Sequence, residues 1–142
     1  MKNKRAFTSI EMIVVLGLVA VIYLVIAPTF QPSRQAIAEQ QFWHELRQDW
    51  RAAQVTAQVR HQSTTVQHYL STRQIVFNSD GHRTILNIPP TIEVEPFDMF
   101  IIDKTGYAAP QTIEFKSRLK HCRYLMKIQL AWGGYRLEKV PD

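Results

Sequence analysis

From Met12 to Ser33 the chain runs 22 residues without a charge. At ~1.5 Å per residue that is about 33 Å of helix, enough to cross the hydrocarbon core of a bilayer. Apolar residues fall on every side of this run, which predicts a helix surrounded by lipid or by other helices. Pro28 and Pro32 interrupt it as it leaves the apolar zone, a place where neighbouring groups can satisfy the freed carbonyls. Beyond them the pattern changes. Ser33 is a candidate N-cap, and Arg34 to about His61 holds no Gly or Pro. Trp43, Leu46, Trp50, Ala53 and Ala57 recur at spacings of three and four, with Gln, Arg and Glu around the rest. That spacing predicts an amphipathic helix lying on a core through one stripe.

After His61 the period falls to two. Strands are expected over Thr64–Leu70, Arg73–Asn78, Thr84–Ile88, Thr91–Glu95, Met99–Ile102, Gln111–Lys116, Arg123–Trp132 and Tyr135–Val140. Ser79-Asp80-Gly81, Pro89-Pro90, Lys104-Thr105-Gly106 and Gly133-Gly134 punctuate them as turns. Tyr124, Met126, Ile128, Leu130 and Trp132 alternate onto one face. The expected layout is α+β: a long N-terminal helix, hydrophobic then amphipathic, packed on an antiparallel β-sheet. Thr91–Glu95 reads as an edge strand.

Lys2, Lys4 and Arg5 precede the apolar run, so the N-terminus stays inside and the domain lies outside the cytoplasm on a single-pass anchor. A secretory signal would be cut behind the run, and Val25-Ile26-Ala27 nearly supplies the pattern, but Pro28 after it suits a protease site poorly. A plain anchor leaves Glu11 unexplained. A carboxylate at the lip of an apolar span is costly and marks function, although Thr8-Ser9-Ile10-Glu11 also has the spacing of a capping box.

Ala6-Phe7-Thr8-Ser9-Ile10-Glu11 resembles the processing motif of type IV pilins and pseudopilins, usually Gly-Phe-Thr-Leu-x-Glu. Ala6 stands for the commoner Gly and Ser9 for the commoner Leu. The resemblance implies a prepilin leader over 1–6, cut between Ala6 and Phe7 by a prepilin peptidase that also methylates the new Phe7 amine. It implies a transmembrane and filament-core helix over 7–30, an amphipathic helix over 31–61 and a sheet domain over 62–142. Glu11 would then pair with the N-terminal amine of a neighbouring subunit during filament assembly, since an unpaired amine in a dry bundle is expensive. Farther along, Gly106-Tyr107, Gln111-Thr112-Ile113-Glu114-Phe115-Lys116-Ser117, Tyr124, Ile128-Gln129-Leu130 and Gly133-Gly134 are similar to minor pilins grouped with type II secretion pseudopilin H and FimT. Within that group the short leader and compact size look most like the ComGD-type minor pseudopilins of the Gram-positive competence machine. That likeness implies a structural role in the pilus that binds and takes up DNA, with major and minor competence pilins as partners and the cell surface as destination. The alternatives are a type II secretion-like or adhesion pilus, or a signal-anchored extracytoplasmic domain that never polymerises.

The 142 residues allow one membrane segment and one modest domain, and a single cysteine, Cys122, excludes an internal disulfide. Cys122 reads as a small buried residue, or as a crosslink to another subunit. Net charge is +5, and loss of Lys2, Lys4 and Arg5 leaves 5 − 3 = +2. The remaining charge is uneven. Residues 84–115 sum to −4, whereas residues 116–139 sum to +6. Arg118, Lys120, Arg123, Lys127, Arg136 and Lys139, interleaved with Tyr124, Trp132 and Tyr135, suit DNA backbone and base stacking, or contact with an acidic patch on a sibling subunit. His44, His61, His68, His82 and His121 have no metal-ligand spacing. Glycines are too scattered for a phosphate loop, and no nucleophile elbow is present. Neither enzyme activity nor a metal or cofactor is expected.

Overall fold

The computed structural model describes residues 9–26, 30–129 and 134–141. The chain divides into two compact units, Met1–Arg34 and Gln35–Asp142. In the first lies α1, Ser9–Ile26, an 18-residue helix carrying Glu11 in its first turn. Its large apolar residues from Ile10 to Leu24 are all exposed. Eighteen residues make about 27 Å of helix, short of the ~30 Å hydrocarbon core, and among the described residues no helix is long and apolar enough to cross a membrane. The expected span over 7–30 continues on both sides into residues outside the described ones.

Helix α2 runs Phe30–Arg60. It begins before the expected Ser33 cap, so Pro32 falls in its first turn, where a missing N–H costs no helical hydrogen bond. Its buried face is Glu39, Phe42, Leu46, Trp50, Ala53 and Ala57. Trp43, expected on that face, is only half-buried at its flank.

Among the described residues eight strands follow, all antiparallel. Rather than one sheet they form two of four strands each. In the first, β2 (Gln74–Ser79) lies between β1 (Thr64–Tyr69) and β3 (His82–Asn87), and β5 (Phe100–Ile102) pairs with the other side of β1. In the second, β4 (Ile92–Val94), β6 (Gln111–Ser117), β7 (Cys122–Ile128) and β8 (Tyr135–Pro141) follow in that order. The chain thus visits the second sheet for β4 and returns to the first for β5. As expected from its pattern, β4 is an edge strand. Period-two alternation sends Val66, Ile75, Phe77 and Leu86 from the first sheet, and Ile113, Phe115, Met126 and Ile128 from the second, into one core with the α2 stripe.

Special backbone positions sit where the chain must turn sharply. Asp80 (φ 30°) and Gly81 (φ 84°) both lie left-handed between Ser79 and His82, the two-residue loop that suits a hairpin's twist. Gly106 (φ 81°) packs so closely on α2 that a Cβ there would lie 2.7 Å from Gln58 Nε2. Gln58 Nε2 donates to Thr105 O at 3.2 Å, and Gln54 Nε2 to Gly106 O at 3.4 Å. Asp103 Oδ1 accepts from the backbone N–H groups of Thr105 and Tyr107 at 2.8 and 3.0 Å and closes the same loop.

Candidate assembly surfaces

Ala6 and Phe7, the expected processing site, lie outside the described residues. Glu11 is exposed in the first turn of α1, where a carboxylate also favours the positive end of the helix dipole. Around it are Ile10, Met12, Ile13, Val14 and Val15, each at least half-exposed.

The basic block behaves differently in space than along the chain. Antiparallel pairing of β4, β6, β7 and β8 sets acidic and basic segments side by side. Arg118 pairs with Glu93. Arg123 Nη1 lies 3.4 Å from Glu114 Oε1, and Lys127 Nζ lies 2.7 Å from Glu138 Oε2. Arg136 Nε stands 3.7 Å from the other oxygen of Glu138. The Lys127 hydrogen bond, with the charges of Lys127 and Arg136, holds the Glu138 carboxyl below its ordinary range despite some desolvation. Lys120 turns instead toward the core, with Nζ 3.9 Å from Glu39 Oε2. Lys139 is exposed on β8 opposite Tyr124. Five of the block's seven cations thus have a carboxylate of the same chain within 4 Å, and because Glu138 is already counted in the +6, Glu93, Glu39 and Glu114 offset half of it.

Glu39 carries no signal along the chain. Its side chain is fully buried, an expensive position for a carboxylate unless hydrogen-bonded. The Ser117 hydroxyl donates to it, 3.0 Å from Oε1 and 3.1 Å from Oε2. Ser117 Oγ in turn accepts from Lys120 N at 3.1 Å. The β6–β7 turn thus reaches α2 through a short polar chain at the end of the apolar stripe. Beside it Trp43 packs edge-on against Phe42 and Phe115 and tilted against Tyr124, with centroids 5.1, 5.3 and 4.8 Å apart. Burial, then Cys122 and Glu39, push the Tyr124 phenol up to about 12. Cys122 itself is a buried free thiol.

A groove of about 570 Å³ runs beside β4, lined among others by His68, Arg73, Glu93, Glu95, Lys116 and Arg123. Arg73 Nη2 donates to Pro89 O at 2.9 Å and Ile92 O at 2.7 Å, tying the first sheet to the free edge of β4. His68 stacks on Phe97 at 5.3 Å, and burial, aided by Arg73, lowers its pKa below that of an ordinary histidine. Among the described residues no group of three or more His, Cys, Asp or Glu is placed to hold a metal ion.

No protein-family model matches this chain, and no curated protein matches it in sequence. Among solved structures it is similar to the minor pseudopilin EpsH from the Type 2 Secretion System of Vibrio cholerae. The match has 16% identity and a TM-score of 0.48, over 72% of this chain and 94% of that one. A likeness this slight carries no functional argument, which must come from the chain's own residues.

Proposed function

We propose that this chain is a minor type IV pilin or pseudopilin, a structural subunit of the competence pilus that takes up DNA. The observation that carries the reading is Glu11 in the first turn of a helix whose large apolar side chains are all exposed, directly after Ala6-Phe7-Thr8. Such a helix needs an apolar environment that its own unit does not supply, and a lone carboxylate at its head needs a cation. Membrane before assembly, and neighbouring helices with a free N-terminal amine afterwards, meet both needs. The amphipathic α2 on antiparallel sheets, and the pilin-like residues from Gly106 to Gly134, support the same reading. Its partners are then a prepilin peptidase and methyltransferase, sibling pilins, and the membrane it crosses once with its sheet unit outside.

In the basic block Arg118, Arg123, Lys127 and Arg136 are already paired with acids of the same chain, so a DNA phosphate or a sibling's carboxylate would each have to compete for those cations. Mass spectrometry of the protein recovered from membranes and sheared filaments tests the central reading. The N-terminal peptide is expected to begin at N-methylated Phe7 in wild type and to vanish in Ala6→Leu. Full-length chain in assembled filaments would overturn it.

A further inference from the structure

A histidine stands where alternation sets a core residue. Along β1 the side chains of Thr64, Val66 and His68 turn to the same side of the sheet, and the first two are 1% and 2% exposed. His68, at the end of this row and opposite Ile75 of β2, is half-buried. Its cover is Phe97, whose ring stacks on the imidazole at 5.3 Å with 19° between the planes. Phe97 in turn meets Phe100 at 5.8 Å, and Phe100 meets Trp50 of α2 at 6.0 Å. One row of rings runs from the groove beside β4 into the core.

Phe97 belongs to residues 95–99, by which the chain leaves β4 in the second sheet for β5 in the first. At the start of this crossing Glu95 N donates to Glu114 O at 2.9 Å. At its end the three residues of β5 pair with β1. The His68–Phe97 stack holds the stretch between these two anchors.

The stack suits a neutral imidazole. Nδ1 of His68 is buried and has no hydrogen-bond partner among the described residues. Protonation makes both ring nitrogens donors, so the orphan becomes a buried N–H that carries charge and finds no acceptor. That costs more than the face of Phe97 returns by attracting a cation. The charges around the groove do not offset it. Arg73, from the loop between β1 and β2, repels a second cation. Glu93 of β4 and Glu114 of β6 are engaged by Arg118 and Arg123. Lys116 of β6 adds another positive charge, and Glu95, just after β4, is the remaining carboxylate of the wall. Burial and Arg73 together hold the His68 pKa below 6.5. Folding therefore disfavours the imidazolium: the stack contributes fully above pH 6.5, and its contribution is lost as pH falls from there toward the folded value.

We propose that His68 and Phe97 form an acid-released latch on the crossing between the two sheets, in which proton uptake by His68 breaks the stack, frees 95–99 with β5, and opens the groove beside β4. This inference stands independently of the pilin reading.

The test is amide hydrogen exchange of the full chain in detergent micelles, from about pH 7.5 to about pH 5, with each rate divided by that of an unstructured peptide at the same pH. The amides of Glu95 and β5 are expected to open more below pH 6.5, by at most ~tenfold per pH unit, while those of Leu46 and Trp50 in α2 stay protected. His68→Phe keeps a ring on Phe97 that cannot titrate, and should abolish the pH dependence. His68→Gln should abolish it too, with weaker protection at both ends of the range. Glu95→Gln should leave the acid response in place. Protection that is unchanged or rises on acidification would overturn the proposal. So would an equal response in His68→Phe and His68→Gln, a response lost in Glu95→Gln, or acid exchange that spreads to α2.

Discussion

Helix α1 leaves Leu16, Leu18 and Leu24 exposed at 66%, 59% and 71%, whereas α2 buries Phe42, Leu46 and Trp50 to 2%. Both are regular helices with apolar residues, but only α2 has its partner within its own unit. Because that partner lies on one side, selection of apolar residues acts on one stripe, and period and burial agree. In α1 the apolar residues go all round, so the environment it fits is also all round. On the proposed reading, exposure in the isolated chain measures missing surroundings for α1 and solvent for the polar face of α2.

That contrast can be broken from both ends. An aspartate at Val19, near the middle of α1, would cost ~2.5–3.5 kcal/mol inside a bilayer. Val19→Asp should empty the carbonate-resistant membrane fraction while leaving the tryptophan fluorescence of the sheet unit unchanged. Trp50→Ala should do the reverse, with membrane retention intact and about 3–5 kcal/mol of stability lost by urea unfolding. Should Val19→Asp unfold the sheet unit, the two helices would not be separable in this way.

A smaller effect is expected where α2 meets the β6–β7 turn. Ser117→Ala leaves the Glu39 carboxylate buried without its hydroxyl donor, a loss of ~1–3 kcal/mol. Glu39→Gln keeps an acceptor for Ser117 and removes the buried charge, so its urea midpoint should fall less. A larger loss in Glu39→Gln would assign the stabilisation to Lys120 instead.

The smallest effect lies on the flank of α2. Burial, then Glu45, raises the Asp49 pKa above the ordinary 3.8. The protonated form is therefore favoured by folding, a contribution present below 3.8 and lost as pH rises through the folded value. Asp49→Asn should stabilise slightly at pH 7 and have no effect near pH 3, as read by urea midpoints at the two pH values.

Much of this was legible along the chain. Leu46, Trp50, Ala53 and Ala57 mark the buried face because their spacing matches the helical period. The turns at Asp80-Gly81 and Gly106 announce themselves through residues that tolerate positive φ. At the start of the stripe the period alone could not choose, since Phe42 and Trp43 stand four and three residues before Leu46. The fold buries Phe42 to 2% and leaves Trp43 half-buried at the rim, although both rings meet Phe115. Glu39 was illegible for another reason. A glutamate on a helix otherwise reads as surface, and the partners that make its burial tolerable, Ser117 and Lys120, lie 78 residues and more along the chain.

The sequence by itself determined the local elements: an apolar helix headed by Glu11, an amphipathic helix, and strands with period two. These depend on neighbours three, four or two residues away, which any window of the chain contains. Tertiary structure alone decided that the strands divide into two sheets, with β5 returning to β1 across β4. It also decided that acids of residues 84–115 meet bases of residues 116–139. Cross-strand pairing sets Glu114 beside Arg123 and Glu93 beside Arg118, and such distances are fixed by register and topology rather than by position along the chain.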